Sequence, residues 1–240
     1  MRWLIWGGFG LAVTSGLVLA LAGPAYRGDV VGLRTAFALL RWAASIGIGA
    51  ALVSLAGLAV VRPRGGAPLV LGLLGIAIGT MAAYVPWRWR EQARSVPPIH
   101  DITTDLEQPP AFDAILPLRA DAPNPAEYGG PEIAAQQREA YPEVRPLELA
   151  APPGMAFRRA LAVARDMGWE IVAADSAAGR IEATATTRWF GFMDDVVVRI
   201  TATGDGSRVD VRSVSRVGRS DVGTNAERIR QYLGRLSDGS

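Results

Sequence analysis

Polar side chains able to bind an anion are concentrated between the last predicted strand of the chain and the start of its last predicted helix. Arginine pairs with phosphate or carboxylate through a planar fork of donors, and a helix N-terminus adds free backbone N–H groups. We therefore predict a binding site for a phosphate or a lipid headgroup in this region. Its residues are Arg212, Arg216, Ser220, Asp221, Asn225 and Arg228.

An enzymatic use of the same cluster is the alternative. Arg216, Asp221 and Asn225 could serve a hydrolase or a lipid-modifying enzyme. The sequence, however, contains no phosphate loop, nucleophile elbow, dinucleotide fingerprint or zinc motif. We therefore assign no catalytic residue and favour a binding or accessory protein over an enzyme.

A second polar group surrounds the single histidine and consists of His100, Asp101, Thr104 and Asp105. Imidazole and carboxylates can act as general bases or bind metals. One histidine and no cysteine exclude a multi-histidine or thiolate metal centre within the chain. We predict no metal and no cofactor, and we expect these side chains to satisfy backbone groups of an extended arm.

Two adjacent carboxylates, Asp194 and Asp195, form a third candidate with two interpretations. Paired acids can bind a cation. They can also form a salt-bridge cluster with Arg199 or Arg216, and we favour this second interpretation.

The elements that carry these residues fall into two parts, because the chain begins with three apolar stretches and continues as a mixed, water-soluble sequence. Residues 3–23, 43–61 and 68–86 contain no acidic residue or arginine, and each can cross the hydrocarbon core as a helix. We predict three transmembrane helices within residues 1–86. A cleaved signal peptide is the alternative for the first stretch, but two further spans follow it.

Contacts with the bilayer and with other subunits are predicted near the third span. Trp87 and Trp89 alternate with arginines directly after it, which favours an anchor at the level of anionic lipid headgroups. Gly75 and Gly79 form a GxxxG pair that would let a helix of another membrane protein approach closely.

An aromatic turn is predicted between two strands of the soluble part, at Trp189, Phe190 and Phe192. These rings could contact the bilayer or a partner, or they could close the end of the domain core. We favour the core, because aromatic side chains gain much from burial.

Residues 87–155 are predicted to form a juxtamembrane collar and a Pro-rich arm. Proline recurs between residues 97 and 153, too often for a continuous helix or a central strand. We therefore expect an extended, partly ordered arm.

Residues 156–240 are predicted to form a small α+β domain. The spacing of apolar residues predicts a helix over residues 156–167 and strands over 169–174, 180–187, 195–203 and 207–216. A last helix opens at Thr224, with Glu227 at the spacing of a capping box. The fold class is thus three transmembrane helices plus a four-stranded antiparallel sheet with two helices on one face.

The two faces of this sheet differ in polarity. Ile181, Val198 and Val211 point to the helices, whereas Glu182 and Arg212 point to the opposite face. That polar face could be a solvated surface with cross-strand ion pairs, a ligand-binding surface, or a surface covered by the Pro-rich arm. We favour the solvated surface.

Three segments carry a family resemblance: PPIHDITTD at residues 97–105, WFGFMDD at 189–195 and RSVSRVGRSDVGTNAERIR at 212–230. Together they resemble the DUF1499 family, over about residues 95–236. This family has no established biochemical function. Many of its members resemble exported or lipid-anchored envelope proteins, which implies a periplasmic domain.

Charge bears on partners and on sidedness. The chain has 25 basic residues, 23 acidic ones and a net charge of +2, so nucleic-acid binding gains no support. A count of arginines beside the spans places the C-terminal domain in the cytoplasm, whereas the resemblance favours the periplasm, which we prefer. We expect a multi-pass protein of the bacterial inner membrane that binds lipid or other membrane subunits as an accessory protein of the cell envelope.

Overall fold

The computed structural model describes residues 1–238 and divides into two compact units. The helical unit comprises Met1–Gln92 and Arg188–Gly191, and the sheet unit comprises Ala93–Thr187 and the chain from Phe192 onward. The short segment Arg188–Gly191 therefore belongs to the helical unit, although it connects two strands of the sheet unit.

The described residues include three helices that are long and apolar enough to cross a membrane. They are α1 (Trp3–Arg27), α2 (Leu33–Val61) and α3 (Ala67–Ser95), which confirms the three predicted apolar helices. Each extends beyond its apolar stretch into residues such as Arg27, Arg34 or Arg90. Arg62 follows the end of α2 in a left-handed conformation (φ 47°), and its N–H group donates to the carbonyl of Leu58.

Glycine lets the helices approach closely within the helical unit. A β-carbon added to Gly47 of α2 would lie 2.5 Å from the carbonyl oxygen of Gly79 in α3, and one added to Gly79 would meet the carbonyl of Gly47. Gly75 leaves room for the side chain of Ser54 in α2. The predicted GxxxG pair is thus buried against a helix of the same chain.

The sheet unit combines one antiparallel sheet with short helices. Its elements are β1 (Asp101–Thr103), a 3₁₀ helix (Leu116–Arg119), α4 (Pro131–Ala140), β2 (Leu147–Leu149), α5 (Pro153–Asp166), β3 (Glu170–Asp175), β4 (Arg180–Thr186), β5 (Met193–Thr203), β6 (Gly206–Ser215) and α6 (Thr224–Asp238). The strand order is β1, β6, β5, β4, β3, and β2 also pairs with β6.

One prediction for this unit is wrong, and the difference comes from the Pro-rich arm. In the described part of the chain the sheet has six strands and not four, because β1 and β2 of the arm pair with β6. The arm also contains α4 and a 3₁₀ helix. Prolines fit this structure because Pro117, Pro131 and Pro153 lie in the first turn of a helix, where the missing N–H costs little.

The helix face of the sheet is the apolar core that alternation predicts. Ile181, Val198 and Val211 pack with Phe157 of α5 and Ile229 of α6, all of them buried. Tyr232 of α6 adds a buried hydroxyl that donates to the carbonyl of Ala160 at 2.9 Å. Both predicted helices therefore cover this face, and their positions are confirmed.

The opposite face, called the arm face below, is buried as well. Phe112 and Ile115 of the arm pack on Val197 and Val214, and the polar residues Glu182, Thr184, Asp195, Asp210 and Arg212 are almost completely inaccessible to solvent. The interpretation of this face as a solvated surface is wrong. The arm covers it, which was the third of the three interpretations.

Candidate functional site

A buried ion pair joins β1 to the central strand β6. Arg212 donates from Nε and Nη2 to the two carboxylate oxygens of Asp101 at 2.9 and 2.8 Å. Its other N–H groups donate to the carbonyls of Pro110 and Ala126 in the arm, and its guanidinium lies 5.1 Å from the ring centre of Phe112. Arg212, predicted to bind an anion, is thus fully engaged by the protein itself.

Asp195 is the centre of a second buried cluster on the arm face. It accepts from Arg216 Nε and Nη2 at 2.9 and 2.8 Å and from the hydroxyl of Thr184 at 2.9 Å. Arg119 of the 3₁₀ helix places its Nη1 3.4 Å from the same carboxylate. Burial lowers the pKa of Arg119, and Asp195 opposes that shift. The favoured interpretation of Asp195 as a salt-bridge residue beside Arg216 is confirmed.

Glu182 fastens the arm to β4, a role that sequence reasoning did not assign to it. Its carboxylate accepts the backbone N–H groups of Asp113 and Ile115 at 3.0 to 3.1 Å, and Arg180 lies 3.3 Å away. Alternation placed Glu182 on the polar face, but no pattern in the sequence indicated which backbone N–H groups would donate to its carboxylate.

The predicted anion site is divided between the two faces of the sheet. Arg212 and Arg216 lie on the arm face, as described above. Asn225 instead bonds to the hydroxyls of Ser213 and Ser215, whose positions in β6 put them on the helix face. Arg228 pairs there with Asp194 at 2.6 Å. The six residues therefore do not surround one cavity.

Asp221 caps the N-terminus of α6, the role that the sequence assigned to Thr224 and Glu227. Its two carboxylate oxygens accept the N–H groups of Gly223 and Asn225 at 2.9 and 2.6 Å. Burial raises the pKa of Asp221, and these two N–H groups oppose the shift. Ser220 beside it accepts the N–H of Val222 at 3.1 Å, so both residues serve the turn before the helix.

Within the His100–Asp105 motif, the side chains of Thr104 and Asp105 bond to backbone groups, whereas the carboxylate of Asp101 pairs with Arg212. The carbonyl of His100 accepts from the N–H of Ser215 and the amide of Asn225. The hydroxyl of Thr104 accepts the N–H of Val211 at 2.9 Å, and Asp105 accepts the N–H groups of two following residues, 107 and 108. The motif thereby fixes the start of the arm to β6.

Asp105 also belongs to a four-membered ion cluster. Its Oδ2 accepts from Arg199 at 2.8 Å and from Arg208 at 3.2 Å, and both arginines also contact Asp210. Burial alone would raise the pKa of Asp105. The backbone N–H groups of residues 107 and 108, together with the two arginines, reverse this and hold the pKa below its usual value.

A cavity of about 440 Å³ lies beside this ion cluster. Its walls are residues 104–107, residues 141, 142 and 144–146, Arg138 and Arg208. Tyr141 and Val144 give it a buried apolar wall. In the described part of the chain the hydroxyl of Tyr141 is buried without a hydrogen-bond partner, and burial raises its pKa, so it remains a donor.

Two arginines of this cavity are only weakly used by the protein. Arg138 lies 3.7 Å from Glu107, too far for a hydrogen bond, and both side chains are largely exposed. Arg145 donates from Nε to the carbonyl of Pro142 at 2.8 Å, and no acidic group among residues 1–238 is in ion-pair contact with it. Sequence reasoning missed both, because they lie in the segment interpreted as an irregular arm.

The predicted aromatic turn is split between the two units, and Trp189 contacts α1. Its indole Nε1 donates to the carbonyl of Ala20 at 3.1 Å. Pro24 has no N–H to offer the carbonyl four residues earlier, so the indole satisfies a group that the helix leaves free. A β-carbon on Gly23 would lie 2.6 Å from the Trp189 ring, so glycine provides the space.

The remaining predicted aromatic contacts are accounted for within each unit. Phe190 is 3% exposed and packs near Tyr26 and Phe37 in the helical unit. Trp89 contacts the ring of Trp189 at 4.8 Å, whereas Trp87 is more than half exposed. Phe192 lies in the sheet unit, where its carbonyl accepts the backbone N–H of Thr187 and its N–H donates to the Thr187 hydroxyl.

These features define a class: proteins with three apolar helices and an α+β domain whose sheet is covered by helices on one face and by a charge-paired arm on the other. The chain belongs to the family of proteins of unknown function called DUF1499, whose model matches residues 101–236, from β1 to α6. The match confirms the resemblance. No curated protein matches the chain.

Proposed function

We propose that the chain is a membrane-anchored binding protein of the cell envelope, an accessory subunit whose sheet unit holds a ligand or partner in the cavity beside Asp105. The contrast between buried and exposed charges supports this. Arg119, Arg212 and Arg216 are occupied in holding the arm, whereas Arg138 and Arg145 line a cavity without strong partners.

The hydrolase alternative gains no support from this arrangement. Arg216 lies on the arm face, whereas Asp221 and Asn225 serve the start of α6 and the helix face. A catalytic group must reach the same reacting atoms as its partners, within about 3 Å of them. Side chains with separate structural partners on opposite sides of a sheet do not meet this condition.

Site-directed photo-crosslinking in intact cells tests the binding function. A photoreactive amino acid at Leu106, an uncharged residue of the cavity wall, should give a discrete adduct with a partner or lipid. The same amino acid at Ala162, an exposed position of α5 away from the cavity walls, provides the control. Adducts that are absent at position 106, or equal at the two positions, would contradict a binding role for the cavity.

A reporter fused after Ser240 tests the proposed periplasmic location. Activity of a reporter that functions only outside the cytoplasm supports it. Activity of a reporter restricted to the cytoplasm supports the arginine count instead and limits the ligands to cytoplasmic ones.

A further inference from the structure

We infer that the cavity beside Asp105 binds an anionic group, a phosphate or phosphate ester, that Arg145 and Arg138 hold and that an adjoining apolar wall contacts. This inference rests on the proposed binding function and names its ligand class. It moves the anion site from the residues that the sequence indicated to residues beside the Asp105 ion cluster.

The charges around the cavity leave a cation without an anion. Arg199 and Arg208 are balanced by Asp105 and Asp210, with N–O distances of 2.8 to 3.2 Å. Among the cavity walls, Glu107 is then the one acidic residue left for Arg138 and Arg145. Since the Glu107 side chain is 88% exposed and lies 3.7 Å from Arg138, solvent screens this contact.

The guanidinium of Arg145 is suited to an external anion. A single hydrogen bond, from Nε to the carbonyl of Pro142, fixes the side chain. A planar guanidinium whose other donors lack a carboxylate binds phosphate strongly, because charge-assisted bonds are about twice as strong as neutral ones.

The apolar wall indicates what the anion is attached to. Tyr141, Val144 and Pro146 line the cavity, and the first two are buried. An ester's apolar part would lie against this wall while the arginines held its phosphate.

Calorimetry on the full chain in zwitterionic nanodiscs tests this inference. The probes are inorganic phosphate, dihexanoyl phosphatidic acid and, as a neutral lipid, dihexanoyl phosphatidylcholine, each corrected with empty nanodiscs. Binding of phosphatidic acid alone identifies a lipid headgroup as the source of the anion. Binding of inorganic phosphate as well identifies a soluble phosphate. Both results support an anion site.

Matched variants test whether the anion binds at this cavity. Arg145→Ala should weaken binding roughly tenfold or more, as expected for the loss of a charge-assisted bond, and Arg138→Ala should weaken it less. Arg158→Ala and Arg165→Ala remove the same charge from exposed positions of α5 and should bind like the wild type. Arg145→Lys should restore part of the affinity, because it keeps the charge and loses the fork.

Two results would overturn the inference. One is no binding of either anionic probe, and the other is an equal loss in the cavity variants and the α5 controls. If calorimetry fails while crosslinking at position 106 succeeds, only the ligand class is wrong. If both fail, the proposed binding function falls too.

Discussion

The helical unit and the sheet unit achieve close packing by opposite means. In the helical unit, Gly47, Gly75 and Gly79 bring backbones together by having no side chain. On the arm face of the sheet unit, buried arginines and carboxylates hold the two layers together. Removing one member of a buried ion pair should therefore destabilise the sheet unit by leaving an unpaired charge. In the helical unit, adding a side chain at a buried glycine should be the destabilising change.

The largest effect is expected from Asp195→Ala on the arm face. This change leaves Arg119 and Arg216 buried without their shared carboxylate, and breaking a buried pair costs about 3–5 kcal/mol. Pulse proteolysis of the full chain in nanodiscs along a urea series, with a C-terminal tag as the readout, measures the free energy of unfolding of the sheet unit.

The next residue of β5 provides the matched control. Val196 is fully buried on the helix face, and Val196→Ala should cost roughly 2 kcal/mol through lost apolar contact. A smaller loss for Asp195→Ala than for Val196→Ala would show that the ion cluster contributes less than the apolar core, and the comparison between the two kinds of packing would fail.

Gly47→Leu should lower the stability of the helical unit by about 1–3 kcal/mol, as expected for overpacking. A side chain at this position meets the backbone of Gly79 and the β-carbon of Ala82, neither of which can move aside cheaply. Gly49 lies two residues further along α2 and has open space around it. Gly49→Leu should therefore leave the midpoint of thermal aggregation in detergent unchanged, and an equal drop for both variants would contradict close packing of α2 on α3.

The sequence was sufficient to predict the helical unit and the helix face because both depend on local periodicity. Apolar length determines α1 to α3, and alternation places Ile181 and Val198 under α5 and α6. These patterns repeat within a few residues, so one segment carries the whole signal.

The arm face could not be predicted in this way. Glu182 accepts hydrogen bonds from the backbone N–H groups of Asp113 and Ile115, which are 69 and 67 residues away in the sequence. No local pattern predicts such pairs. Buried arginines such as Arg119 also resemble solvated ones in sequence, because each is compensated by a distant partner, here Asp195. The cavity could not be predicted for the same reason, since Arg138 and Arg145 belong to the arm.

A pH dependence follows from the lowered pKa of Asp105. A carboxyl whose pKa is lower in the folded state stabilises the protein above its unfolded pKa of about 3.9. That stability is lost as the pH falls through the folded value. The urea midpoint of the sheet unit should therefore decline in this acidic range more steeply in the wild type than in Asp105→Asn.

At neutral pH the same variant should be less stable than the wild type, because it loses the ion pairs with Arg199 and Arg208. The two proteins should converge as the pH falls and the wild-type carboxyl becomes neutral. A difference that stays constant from neutral pH to pH values below the usual range of aspartic acid would contradict an ionised Asp105 in the folded protein.

The smallest effect is expected in the helical unit, where the indole of Trp189 donates to the carbonyl of Ala20. Trp189→Phe keeps most of the ring and removes the donor, which should cost about 1 kcal/mol. Pro24→Ala supplies an N–H that can reach the same carbonyl. The two changes therefore compete for one acceptor, and Trp189→Phe should cost less in a Pro24→Ala background than in the wild type.

A double-mutant cycle measures this coupling through the thermal midpoint of the helical unit in detergent. Positive coupling would show that a side chain can replace a missing backbone donor in a unit otherwise packed through glycine. An identical cost of Trp189→Phe in both backgrounds would mean that the residue acts through ring contacts with Trp89 and Phe190 alone. The contact between Trp189 and α1 would then depend on close packing and not on a side-chain hydrogen bond, as in the rest of the helical unit.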